Sequence, residues 1–196
     1  MRPDPVTGPI AGLLLTPGAS ATREQPALVA VDEAATALGL AVDRIDFPYT
    51  QAGRRAPDRP PVLLETIRQG AAALAERSSL ALGDLFLGGR SMGGRIASMA
   101  VADGLPAAGL VLISYPLHPP GKPERLRTDH FADIGVPCLF VSGTRDTFGT
   151  PAELEAATAG IPGDVTHVWI EGGDHGLRRK DALVAESVAR WLATQL

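Results

Sequence analysis

A serine stands between two glycines in Gly89-Arg90-Ser91-Met92-Gly93, and a further glycine follows at position 94. This G-x-S-x-G pattern suits a sharp turn from a strand into a helix, where side chains two residues either side of the serine would collide. Such a turn strains the serine backbone, exposes its hydroxyl and sets it at a helix N-terminus, whose dipole favours negative charge. The Met92 N–H then forms half of an oxyanion hole. A serine hydroxyl is a poor nucleophile until an imidazole takes its proton, and a carboxylate best fixes the imidazole's tautomer. Asp146, in Ser142-Gly143-Thr144-Arg145-Asp146, and His175, in Gly172-Gly173-Asp174-His175-Gly176, follow the serine in that order. The pattern predicts Ser91 as nucleophile, His175 as its base and Asp146 as the group that orients the base.

Each of these residues also has a plainer reading. A Gly-rich strand–helix turn occurs in many α/β proteins, a loop Asp often only shapes a turn, and a His in a glycine loop can be structural. A phosphate cradle is a further competitor, but neither G-x-x-x-x-G-K-[ST] nor G-x-G-x-x-G spacing is present. The joint order of the three residues separates the readings. His167 falls inside a strand and reads as structural, Asp174 as a turn former, and Cys138 as core. The second oxyanion donor should come from Thr16-Pro17-Gly18-Ala19-Ser20. Pro17 lacks an N–H, so Ala19 is the expected donor, with Ser20 its neighbouring alternative.

These residues need a frame that brings them together. Apolar runs at Ile10–Thr16, Ala41–Phe47, Leu85–Gly88, Leu110–Ser114, Cys138–Ser142 and Thr166–Ile170 read as strands. Helical spacing marks Leu28, Val31, Ala35 and Leu38, then Leu63, Ile67, Ala71 and Leu74. Further helices are expected over Arg95–Ala102, Pro151–Ala159 and Lys180–Gln195, with a weak one around Arg125–Ile134 and a Pro- and Arg-rich loop over residues 48–60. The alternation predicts a minimal six-stranded, mostly parallel sheet with helices on both faces, in one domain over residues 1–196. In such a sheet ligands bind beyond the carboxyl ends of the strands. Ser91, Asp146, His175 and Ala19 all fall there.

Composition narrows the field. With 45% hydrophobic and 20% charged residues the chain has the balance of a globular protein. Its net charge of −4 supplies no global field for nucleic acid or an anionic membrane. No apolar run reaches the ~18 residues that a membrane span needs. Met1-Arg2-Pro3-Asp4-Pro5 lacks the apolar core of a signal peptide. Cys138 is the only cysteine, which excludes an intramolecular disulfide and a Cys-rich zinc site. These features favour a cytoplasmic protein.

The chain resembles the small dienelactone-hydrolase-like α/β-hydrolases. Within them it resembles a bacterial branch related to an animal testis-expressed protein and to a subunit of a chromatin acetyltransferase complex. The matching stretches are Phe47-Pro48-Tyr49, Pro57-Asp58-Arg59, Gly88–Ala97, Tyr115–Pro123, Gly143–Gly149 and Gly172–His175. The resemblance implies the hydrolase fold, with its triad carried by Ser91, Asp146 and His175. The usual His-Gly-Ala-Gly after the first strand is replaced by Pro17-Gly18-Ala19-Ser20, and the usual Pro after the acid is Thr147. Dienelactone hydrolases use a cysteine where Ser91 stands, so their substrate does not carry over.

The expected activity is a serine hydrolase acting on an ester, thioester or similar acyl bond through an acyl-enzyme, with no metal or organic cofactor. A non-catalytic, hydrolase-like binding or scaffold protein is the alternative. The expected partner is a small acyl substrate. Arg54, Arg55 and Arg59 after the second strand, Lys122, Arg125 and Arg127 after the fourth, and Arg90 in the turn favour an anionic one. His118 is expected to line the same pocket, with Arg54, Arg55 and Arg90 as substrate-binding residues. The plainer reading pairs these cations with Asp58, Glu124 and Asp129.

Overall fold

The computed structural model describes residues 8–196. The Met1–Pro5 segment, read above for a signal peptide, lies outside them. Strands β1 (Gly12–Thr16), β2 (Ala41–Arg44), β3 (Leu85–Arg90), β4 (Gly109–Ile113), β5 (Cys138–Gly143) and β6 (Val165–Ile170) form one sheet in the order β2-β1-β3-β4-β5-β6. Every pairing is parallel. The sheet is thus wholly rather than mostly parallel.

The central strands β1, β4 and β5 are buried at every residue, as the uninterrupted apolar runs of a doubly covered sheet require. Alternation along β1 sorts the two faces. Leu13 and Leu15 join Leu28, Val31, Val188 and Trp191 of helices α1 (Pro26–Ala37) and α6 (Asp181–Gln195). Leu14 joins Ile67, Leu74, Ile96 and Ala100 of α3 (Pro60–Ser78) and α4 (Met92–Ala102) on the other face. Helix α5 (Pro151–Thr158) adds Leu154 to that second cluster and opens on a Thr150–Glu153 capping box. Among the described residues no helix is long and apolar enough to cross a membrane.

Several local expectations shift. The 48–60 loop begins with a short helix, α2 (Pro48–Gln51), because Pro48 is preset for a first helical turn. That turn also ends β2 at Arg44, short of Phe47. Pro60 and Pro61 start α3 three residues before its first buried position, Leu63. The weak helix around Arg125–Ile134 reduces to one 3-10 turn, Phe131–Asp133. Instead of extending a helix, Arg127 turns its N–H to the Leu117 carbonyl, 2.8 Å away.

After β1 the chain adds β2 on one side and then returns to place β3 on the other. The order reverses between β1 and β3, where the loops diverge and leave a crevice at the carboxyl ends. Gly18 and Ala19 follow β1 and Ser91 follows β3, so both reach this crevice.

Candidate active site

Ser91 has φ 50° and ψ −115°, a backbone region that costs a non-glycine residue of order 1–3 kcal/mol. Its neighbours explain why the strain persists. A Cβ on Gly89 or on Gly93 would collide with the Thr16 carbonyl oxygen at the end of β1. The Ser91 N–H donates to the Ile113 carbonyl (2.8 Å). The elbow is therefore pressed between β1 and β4, and no broader turn fits.

The Asp146 and His175 loops are joined to each other before either reaches the serine. The Arg145 N–H donates to the Gly173 carbonyl (2.8 Å), the Thr144 N–H to Ile170 (3.1 Å), and the Gly172 N–H to the Thr144 hydroxyl (2.9 Å). His175 Nδ1 consequently lies 2.8 and 3.0 Å from the two Asp146 carboxylate oxygens, and its Nε2 lies 2.9 Å from Ser91 Oγ. With Nδ1–H donating to the carboxylate, the Nε2 lone pair faces the serine hydroxyl. Asp146 is only 2% exposed, and one of its oxygens also accepts the Phe148 N–H at 2.8 Å. The Phe148 ring stacks on the imidazole with centroids 3.9 Å apart, which fixes the ring plane.

This chain of hydrogen bonds opens into a cavity of about 440 Å³ lined by Gly18, Ala19, Arg90, Ser91, Met92, Arg95, Pro116, Arg127, Phe148 and His175. Among the described residues, the N–H groups of Ala19 and Met92 have no protein acceptor, since Met92 is the first residue of α4. Their neighbours are occupied. The Gly18 N–H donates to Gln25 (3.0 Å) and the Ser20 N–H to the Tyr49 hydroxyl (3.2 Å). Among the described residues no group of three or more His, Cys, Asp or Glu side chains is placed to hold a metal ion.

The other residues singled out in the sequence lie as follows. Arg90 lines the cavity, but its guanidinium donates to the His175 carbonyl (2.7 Å) and so braces the histidine loop. Burial lowers its pKa, opposed by the nearby carboxylates of Asp146, Asp174 and Asp181. Arg54 and Arg55 are not in the cavity lining. Arg54 pairs with Asp58 at 2.7 Å, four residues along, and Arg55 is exposed with its carbonyl accepting from Ser20. His118 is 5% exposed and also stands outside the lining. Its N–H donates to the Phe148 carbonyl (3.0 Å) and its Nε2 lies 3.5 Å from Glu153, so it supports the wall from behind. Cys138 is buried in the core, where burial pushes its thiol up to about 12.

Arg95, Pro116 and Phe148 join the cavity lining without a place among the expected site residues, and Arg127 stands out there from the other cations of its loop. Arg95 had a usable signal, because it lies four residues after Ser91 on the helix that the elbow opens. Pro116 and Phe148 carried none, since only the folded course of their loops brings them to the serine.

His130 sits apart, its Nε2 2.8 Å from Ser98 Oγ. Burial, and next the charge of Arg95, lowers its pKa from 6.5 to about 4. Between those values the unfolded chain takes a proton that the folded chain refuses, so stability falls as pH falls through that window. His130→Asn is expected to flatten this part of the profile, measured by denaturant unfolding at pH 7 and pH 4.5. An unaltered pH dependence would show that His130 is not held neutral.

Comparison with solved structures places this architecture among small α/β-hydrolases. A serine hydrolase homologue from Coxiella burnetii superposes with a TM-score of 0.77 at 19% identity, over 96% of this chain and 88% of that one. Est1E from Butyrivibrio proteoclasticus with ferulic acid bound gives 0.77 at 18%, covering 94% and 89%. A dienelactone hydrolase from Anabaena variabilis gives 0.73 at 20%, covering 94% and 86%. At these identities the likeness is one of fold. In sequence, residues 9–192 match the alpha/beta hydrolase domain family, and the chain belongs to that family.

Proposed function

We propose that the chain is a serine hydrolase that cleaves an ester, thioester or similar acyl bond in a small molecule. The observation that carries this reading is the continuous hydrogen-bonded line from Ser91 through His175 to Asp146, ending at a cavity with two free N–H groups. His175 Nε2 takes the Ser91 proton as Oγ attacks the acyl carbon, and the carbonyl oxygen becomes an oxyanion held by the Ala19 and Met92 N–H groups. Each donor contributes about 3 kcal/mol of barrier lowering. As the tetrahedral adduct collapses, the imidazolium gives its proton to the leaving alcohol or thiol. Water then enters, loses a proton to His175 and attacks the acyl-serine. The acid departs, and the proton returns to Ser91 Oγ. Asp146 keeps the imidazole in the required tautomer and offsets its transient charge.

A cavity of about 440 Å³ suits a small ligand rather than a protein segment. Est1E holding ferulic acid is in keeping with that class. The decisive experiment is intact-mass spectrometry after treatment with a fluorophosphonate. One adduct is expected, mapped to Ser91 and missing from Ser91→Ala. A folded wild type that never labels, or a Ser91→Ala protein that labels equally, would favour a non-catalytic binding role.

A further inference from the structure

Two arginines in the cavity, Arg95 and Arg127, hold no carboxylate among the described residues. Arg95 stands one helical turn beyond Ser91, its N–H donating to the Ser91 carbonyl (3.1 Å). Arg127 comes from the β4–β5 connection, where its carbonyl accepts from the Tyr115 hydroxyl (2.6 Å) and its guanidinium reaches the Pro116 carbonyl (3.3 Å). Both residues line the cavity around Ser91, and both also line a second cavity of about 460 Å³ with Leu64, Met99, Leu126 and His130. The two hollows therefore meet at this arginine pair.

Arg44, Arg54, Arg68 and Arg77 each hold a carboxylate. Among the described residues neither Arg95 nor Arg127 has a carboxylate at ion-pair distance, and Arg95 Nε is buried without a hydrogen-bond partner. Their charges work against each other. Burial, and next the charge of Arg95, lowers the Arg127 pKa. The Tyr115 hydroxyl beside them stays protonated, because burial raises its pKa, and so does not offset either cation. Three carboxylates line the second cavity: Asp103 is already paired with Arg68, and among the described residues Asp129 and Asp133 stand beyond ion-pair distance of both arginines. Placing two like charges together, one with a buried idle donor, is costly unless an anion completes the set.

We propose that Arg95 and Arg127 together bind a carboxylate or phosphoryl group carried by the substrate, so that the Ser91 site acts on anionic acyl compounds. This rests on Ser91 being the nucleophile, but the anion site can be tested without turnover. Guanidinium forks match the paired oxygens of such groups. In the bound state each arginine gains a charge-assisted hydrogen bond, worth roughly 10- to 100-fold in affinity.

The test has a kinetic arm and a binding arm. Initial rates are compared for p-nitrophenyl valerate against p-nitrophenyl hydrogen glutarate, which puts the anion on the acyl side. Phenyl acetate against 4-acetoxybenzoate puts it on the leaving group. At least one anionic ester is expected to exceed its neutral match by about tenfold or more in kcat/KM, mainly through KM, with the advantage shrinking as salt rises. The ratio should collapse towards one in Arg95→Gln and Arg127→Gln, recover partly in Arg127→Lys, and persist in Arg54→Ala. In parallel, glutarate and inorganic phosphate are titrated calorimetrically into wild type, Ser91→Ala and both Gln variants, whose melting curves establish folding. Binding to wild type and Ser91→Ala, but not to the Gln variants, supports the site even if no ester is turned over. Turnover with ratios near one in both pairs, and no bound anion, overturns the proposal and leaves the serine chemistry standing. Anion binding that survives both Gln variants also overturns it.

Discussion

Asp146→Asn is expected to lower kcat for an aryl ester by about 10⁴-fold while the protein stays folded. The size of the effect follows from where the two carboxylate oxygens point. One accepts the Phe148 N–H at 2.8 Å, and both lie within 3.0 Å of His175 Nδ1. An asparagine here keeps its carbonyl oxygen on the Phe148 N–H, which turns its amide N–H₂ towards the imidazole. Nδ1 must then accept, the ring proton moves to Nε2, and a donor instead of a lone pair faces Ser91. Nitrogen-15 shifts of the imidazole should report Nε2–H in the variant and Nδ1–H in the wild type. A kcat within tenfold of wild type, or an unchanged tautomer, would remove Asp146 from the proposed mechanism. Phe148 sharpens the comparison. Because its ring stacks on the imidazole, Phe148→Ala frees the ring plane without inverting the tautomer, and a much smaller loss is expected.

How much of this could be read from the sequence depended on how local each signal was. Leu13, Leu14 and Leu15 advertise a doubly buried strand, because an uninterrupted apolar run has no solvent face to offer. Chain order and strand ends brought Ser91, Asp146 and His175 into view, since a parallel sheet gathers every strand's carboxyl end on one edge. The walls of the cavity were harder. Residues 48–60 are crowded with cations, but Asp58 stands four residues after Arg54 and holds it. The helix after the elbow opens at Met92 rather than at Arg95, which sets Arg95 one turn from the serine. His118 looked like a pocket residue because its loop follows β4. The chain there instead hydrogen-bonds to Phe148 and turns the imidazole towards Glu153. Phe148 and Pro116 depend on contacts between segments far apart in the chain, for which no pattern in a single sequence stands proxy.

Gly93→Ala is expected to destabilise the protein by about 3 kcal/mol and to lower the melting temperature by roughly 10 °C. Helix propensity alone argues the opposite, since alanine is favoured over glycine inside a helix by about 1 kcal/mol. Steric contact decides the sign. A Cβ on Gly93 would overlap the carbonyl oxygens of both Thr16 and Pro17, and those are backbone atoms that cannot rotate away. Either α4 retreats from the sheet and loosens Ile96 and Ala97 in the core, or the end of β1 moves and carries Gly18 and Ala19 with it. The second route displaces the Ala19 N–H from the place where the oxyanion forms, which should lower kcat by about 10²-fold or more. Gly135→Ala is the matched control, because a Cβ there meets nothing within 4 Å. That variant should melt with the wild type and keep its turnover, and the comparison is made by calorimetry and aryl-ester kinetics on the same samples. If Gly93→Ala melts within a degree or two of the wild type, the close approach of α4 to β1 is not what fixes the elbow. If it is destabilised but fully active, α4 has retreated and the end of β1 has kept Ala19 in place.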